Sequence, residues 1–397
     1  MKKIIAIVLA LAVLASSAVF AANAASKVTG VRQIGASDTS FKIAWNDDFG
    51  VNRYKIEYSA NGASGDYSED TSYASNFEHS VYSRQAGRTY YVKVTPYIND
   101  RWATEKTSDP YPVATAPNAP SNIKQTGATV NSYTISWSGS YGATAYGVYK
   151  KVGNAESLIG TTTSTSYTVK NVSNKKQLDY YTQVRALRNV NGYNAASYNL
   201  TIYSWDVNLV PSAPPAPKVT DVFSGLGVVY FKNPNVAFQK GYDVNIYKAN
   251  KKAVYTSGTG WRYEGLKKGQ FYKAKCRAWT SVGTSSKHLN GKWSKFSYFS
   301  LGCSSIRASA NKNSVKLKWS KVKGGKVKYD IYVSKNSNSG LKKFKKNVKG
   351  TSLRVTKFGK KKLSRRTFYY FHVKPKLKVG KKWVASPYAS YFYASTK

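Results

Sequence analysis

The chain has 397 residues, with 62 Lys+Arg against 18 Asp+Glu and a net charge of +44. That length exceeds one ordinary domain, and two cysteines exclude a disulfide-stapled scaffold. The three histidines stand at no metal-ligand spacing to one another or to a cysteine, which excludes the common zinc motifs.

The first predicted element is an export signal. Lys2 and Lys3 precede an apolar run from Ile4 to Ala15, and Ala22-Asn23-Ala24 follows. A basic start, a short greasy centre and an Ala-x-Ala site make residues 1–24 a cleaved signal peptide. The run is too short for a membrane span, which takes about 20 apolar residues. No second such run follows, so the mature chain is expected to be exported without a transmembrane anchor.

After residue 25 a trio of short apolar strands recurs four times. Its first strand reads Phe41-x-Ile43-x-Trp45, Tyr133-x-Ile135-x-Trp137, Gly227-x-Val229-x-Phe231 and Val315-x-Leu317-x-Trp319. Its second opens Tyr54-x-Ile56, Tyr146-x-Val148, Tyr242-x-Val244 and Tyr329-x-Ile331. Its third reads Tyr90-x-Val92-x-Val94, Tyr180-x-Thr182-x-Val184, Tyr272-x-Ala274-x-Cys276 and Tyr369-x-Phe371-x-Val373. Apolar residues at every second position mean strands with one buried face. The aromatic that closes the first strand returns after 92, 94 and 88 residues, a period that suits a whole small domain.

This pattern resembles the fibronectin type III family. The resemblance implies an all-β chain of four tandem immunoglobulin-like sandwiches, at residues 25–116, 117–212, 213–302 and 303–397. It also implies a tyrosine corner, in which the tyrosine opening the third strand bonds back to the chain entering it. Leu266 and Leu363 stand six residues before Tyr272 and Tyr369, the family's spacing; Arg84 and Asn174 occupy that place in the first two copies. The fourth copy resembles domains of secreted and cell-wall proteins of Gram-positive bacteria. Proline-rich joints (Pro110, Pro112, Pro117, Pro120; then Pro211, Pro214, Pro215, Pro217) read as semi-rigid spacers. Leu301–Ser305 is too short for free swivelling. Four sandwiches of about 30 Å each would reach about 120 Å end to end.

Cys276 takes a slot filled by valine in the other copies and is expected in the core. Antiparallel pairing would put residue 295 or so opposite it, leaving Cys303 unbridged and separately accessible.

Charge climbs along the chain. Residues 25–116 hold 10 basic and 11 acidic side chains, residues 117–212 hold 8 and 3, and residues 213–300 hold 15 and 3. Residues 301–397 hold 27 basic residues and one acid, Asp330. Lysines keep sheet edges soluble and unpaired, which explains a few per domain and not 27 against one. Lys342, Lys343, Lys345 and Lys346, with Lys360, Lys361, Lys362, Arg365 and Arg366, read as turn residues that project together to bind a polyanion.

By strand alternation Tyr332, Tyr370 and His372 should face solvent on one sheet, with Trp383 near them. Such an aromatic face stacks on sugar rings or bases, or simply stabilises an exposed sheet through cross-strand pairs. No nucleophile elbow, zinc-protease motif or phosphate loop is present. The expected protein is a monomeric, non-catalytic, cofactor-free and metal-free binding or adhesion protein, secreted or peripherally attached to the bacterial wall. Its partner would be an anionic wall polymer or another polyanion, and its N-terminal domains would be spacers or hold a protein or glycan. The alternatives are a nucleic-acid or biofilm-matrix binder, and an accessory component of a polysaccharide-degrading system.

Overall fold

The computed structural model describes residues 26–397 apart from 75, 284 and 338, with the side chains of 72–74 also left aside. The expected signal peptide lies outside the described residues. Among these, regular structure is β-strand apart from two single-turn 3-10 helices, Thr104–Lys106 and Ser204–Asp206. No helix among them is long and apolar enough to cross a membrane.

Each copy of the motif folds as two packed antiparallel sheets. In the fourth, Ile306–Asn311, Ser314–Trp319 and Ser352–Val355 form a three-stranded sheet. Facing it, Lys342–Val348, Val327–Ser334 and Phe368–Val379 pair in that order. The last strand is broken: Ser390–Ser395 pairs with the start of Phe368–Val379 and Lys382–Ala385 with its end. The other three copies repeat this arrangement, the sandwich that the resemblance implies. Alternation explains the burial. Phe41, Ile43, Trp45, Val315, Leu317 and Trp319 point inward and are 0–5% exposed. The tryptophan closing the first strand meets the tyrosine opening the second edge-on in three copies, at 5.4 Å for Trp45–Tyr54, 5.3 Å for Trp137–Tyr146 and 5.4 Å for Trp319–Tyr329.

Tyrosine hydroxyls do backbone work inside these cores. Tyr272 and Tyr369 accept from the N–H of Lys267 (2.8 Å) and Ser364 (3.0 Å), forming the expected corner. The first copy forms it as well: Gln85 N–H donates to the Tyr90 hydroxyl at 2.9 Å although Arg84 replaces the leucine. The donor is main chain, so the preceding side chain is free to vary.

The chain falls into two compact units. One comprises the described residues up to Thr126 with Thr134–Val169 and Leu178–Val207; the other comprises Gly127–Tyr133, Lys170–Gln177 and the described residues from Asn208 on. Within the first unit, Ala114, Ala116 and Ala195 pack together, and the Arg188 guanidinium donates to Thr89 Oγ1 (2.8 Å) and the Gly142 carbonyl (2.8 Å). Gly87 and Gly142 touch here with positive φ of 66° and 73°, and a Cβ on either would overlap the other's segment.

Within the second unit the third and fourth sandwiches share backbone bonds. Phe271 N–H donates to the Lys323 carbonyl and Lys323 N–H to the Gly269 carbonyl, both at 2.8 Å. Phe271, on a strand of the third sandwich, is buried in the core of the fourth, and so is Cys303. The expectation of an accessible Cys303 is therefore overturned: packing against the joint buries it to 4% exposure. Both thiols are free. Cys276 exchanges bonds with Ser294, its N–H to Ser294 Oγ at 3.0 Å and Ser294 N–H to its carbonyl at 2.8 Å, close to the expected register.

Two predictions follow from this packing. Tyr90→Phe and Tyr272→Phe each strand a backbone N–H, and each should lower stability by about 1–3 kcal/mol in urea titrations. Burial also pushes the Cys303 thiol from its ordinary 9.0 up to about 12, and the Tyr54 and Tyr272 phenols from 10.0 up to about 12. Above pH 9.0 the unfolded thiol gives up its proton while the folded one keeps it, so the native state binds more protons and stability falls as pH rises. The urea midpoint should drop steadily from pH 9.0 towards 12, and both thiols should resist a thiol reagent until the chain unfolds.

Candidate functional site

Lys342, Lys343, Lys345 and Lys346 lie on the edge strand Lys342–Val348 and not in a turn, which corrects the sequence reading. Pairing with Val327–Ser334 extends the run, with Lys345 opposite Ile331 and Lys343 opposite Tyr332 across a register irregularity. Phe344 is half-buried against the core, and all four lysines are exposed. Two of them lie over aromatic rings: the Lys342 ammonium is 4.8 Å from the Phe358 ring and the Lys343 ammonium 5.4 Å from the Tyr332 ring.

Lys360, Lys361 and Lys362 belong to a small hairpin in which Lys357 pairs with Lys362 and Phe358 with Lys361. Gly359, at φ 64°, makes the turn, and a Cβ there would press on the Lys342 side chain. Phe358 reaches inward to Tyr369, 6.0 Å between ring centroids, and so anchors the hairpin beside the edge strand. Arg365 and Arg366 are exposed in the following turn.

The other face of the hairpin borders a cleft of about 610 Å³ lined by Lys312, Lys357, Lys362 and Lys397, with Asn311, Asn313, Ser314 and Thr356. Of its four lysines only Lys362 was singled out from the sequence. Lys312 sits in the Asn311-Lys312-Asn313-Ser314 turn, a legible turn signal, but nothing local reveals that the hairpin faces it. Asn313 Nδ2 donates to the Leu363 carbonyl at 2.8 Å and ties that turn to the hairpin's exit. Lys397 N–H donates to the Asn311 carbonyl at 3.0 Å and ties in the last residue.

The one acid of this sandwich does not oppose these charges. Asp330 is 6% exposed, accepts from Asn347 N–H at 2.9 Å and lies 3.5 Å from the Lys376 ammonium. Its charge is spent on holding the edge strand.

The aromatic face is only partly as expected. Tyr332 and His372 are cross-strand partners, but His372 is buried at 7% exposure where alternation had it solvated. Tyr391, its cross-strand partner on the neighbouring strand Ser390–Ser395, stacks on it at 5.6 Å between centroids. Burial holds the imidazole below its ordinary pKa. Tyr370 lies against Tyr391 and Tyr393 at 6.5 and 6.0 Å. Trp383 stands apart, opposite Lys378 and beneath the Lys328 ammonium at 4.4 Å. Eight strand residues, about 26 Å, separate that position from Tyr370. Tyr388, which was not anticipated, joins Tyr332, His372 and Tyr391 around a second cleft.

No family model matches the chain, and no curated protein matches it. Among solved structures it is similar to the chicken CNTN1 FN1–FN3 domains, at 19% identity over 69% of this chain and 98% of that one, with a TM-score of 0.30. It is also similar to a two fibronectin type III domain segment of chicken tenascin, at 15% identity over 45% of this chain and 98% of that one, with a TM-score of 0.24.

Proposed function

We propose that this protein is an exported, non-catalytic binding protein of the bacterial envelope whose fourth sandwich holds an anionic polymer. The observation that carries this reading is the lysine cleft. Lys312, Lys357, Lys362 and Lys397 converge on one concavity, and the sandwich's single acid is buried elsewhere. Converging cations in a concave site concentrate potential more than the same charges spread over a convex surface. Lys360 and Lys361 on the same hairpin, and Lys342 beside it, extend the positive track that a polymer would follow. In an envelope the matching polymers are wall phosphate polymers, with nucleic acid as the other phosphate chain of like spacing. The first two sandwiches, with far less net charge, serve as spacer or as a second binding head.

Binding through counterion release must fall steeply with salt. For six or more phosphate contacts, affinity should drop on the order of a thousandfold between about 50 and about 200 mM salt. The combined Lys312→Glu, Lys357→Glu and Lys362→Glu variant should lose most binding to isolated walls while its thermal midpoint stays within a few degrees. Walls stripped of phosphate polymer should retain little of the intact protein. Binding that persists in high salt, or that the three substitutions leave unchanged, overturns the reading; preference for DNA over walls moves the partner to nucleic acid.

A further inference from the structure

The second cleft, about 360 Å³, is a different kind of site. Its floor is sheet: Tyr332 and Tyr391 flank His372 from the two neighbouring strands. One wall is the segment Pro387, Tyr388 and Ala389, and Leu341 and Lys374 complete the lining. That wall is held in place. Ser386 Oγ accepts from Ser300 N–H at 3.1 Å and donates to the Ser300 carbonyl at 3.0 Å, and the Tyr388 hydroxyl is 3.1 Å from Ser224 Oγ. Ser390 Oγ accepts from Cys303 N–H at 2.8 Å at the segment's other end. A wall held this way exists before a ligand arrives, so ordering it costs little on binding.

His372 points to the chemistry of that ligand. It is more than nine-tenths buried, and its Nε2 has no hydrogen-bond partner. The Ser337 backbone favours a proton on the ring, and with Nε2 unpartnered the nitrogen that carries it is Nδ1. Nε2 of a neutral imidazole then carries a bare lone pair. An ionised carboxylate or phosphate has no proton to offer it; a hydroxyl has. The ring covering the imidazole, Tyr391, is itself 49% exposed, and displacing it would open Nε2 to a hydroxyl.

We propose that this cleft binds a sugar ring of a glycan, its apolar C–H face lying on Tyr391 and Tyr332 and one hydroxyl donating to His372 Nε2. Lys374 supplies a donor at the ring's edge. Aromatic walls with a few placed polar groups are the general composition of small-ligand sites. The proposal stands apart from the lysine cleft and survives if the polyanion reading fails.

The chain has three histidines, so the imidazole resonances of His372 are readily assigned by NMR against a His372→Phe variant. The purified chain is titrated with oligogalacturonate, with a cello-oligosaccharide and with hexathymidylate, in about 0.5 M NaCl where screening is strong. His372 resonances should move saturably with a saccharide. Tyr391→Ala should weaken that binding about tenfold or more. His372→Phe should remain folded, lose its orphaned lone pair, and bind the saccharide about tenfold or more weakly, read by calorimetry. Glutamate at Lys312, Lys357 and Lys362 should leave saccharide affinity within about twofold. Resonances that stay fixed with both saccharides, that respond only to hexathymidylate, or saccharide binding that His372→Phe leaves intact would each overturn the proposal.

Discussion

Every sandwich in this protein must bury one face of each sheet while the breaks and turns of those sheets leave backbone N–H groups inside. An unpaired buried N–H costs about 1–3 kcal/mol, so the cores carry hydroxyls where water cannot reach. Tyrosine supplies some of them. Its ring fills a core slot and its hydroxyl accepts from the main chain, as Tyr146 does from Ser140 at 3.0 Å and Tyr329 from Val322 at 2.9 Å. Serine supplies others, at the break in the last strand. Ser108, Ser197 and Ser294 each donate N–H to, and accept on Oγ from, the same residue of the long neighbouring strand: Val94, Ala186 and Cys276.

The fourth sandwich departs from this rule in one informative way. Ser386 N–H donates to the carbonyl of Pro375 at 2.9 Å, but proline has no N–H to return. The Ser386 hydroxyl is thereby released, and it bonds both the N–H and the carbonyl of Ser300 in the preceding sandwich. A substitution that removes one donor thus turns an internal staple into a clamp between domains. Phe271, buried in the next core, adds about 1.5–3 kcal/mol of apolar burial to the same joint.

Much of the fold was legible because strand alternation has a period of two and each trio repeats it with the same aromatics. The site was less legible, and for identifiable reasons. Lys342–Lys346 reads as a turn because its only apolar residue is Phe344 and lysine has little strand preference. Pairing with Val327–Ser334, whose own alternation is strong, decides the matter. His372 reads as solvated because alternation says which face a side chain takes, not what later covers that face; the ring of its cross-strand neighbour Tyr391 does so here. Cys303 reads as a linker residue, yet its neighbours are the fourth core and Phe271. The four lysines of the cleft come from positions 312, 357, 362 and 397, a convergence that only tertiary structure creates.

The concentration of charge bears on stability as well as on binding. With 27 cations after residue 300 and its one carboxylate buried, the fourth sandwich has no acid of its own to offset repulsion among exposed lysines. Part of that repulsion is offset locally. The ammonium groups of Lys328, Lys342 and Lys343 lie 4.4–5.4 Å from the rings of Trp383, Phe358 and Tyr332, where the stems also cover apolar surface. An anion held in the cleft, as proposed, would relieve the rest. A ligand that binds the folded arrangement, where Lys312, Lys357, Lys362 and Lys397 converge, more tightly than the unfolded chain stabilises that fold. The same lysines that weaken the free domain would then be the ones through which a bound polymer holds it folded, so affinity and stability would be set by one charge distribution.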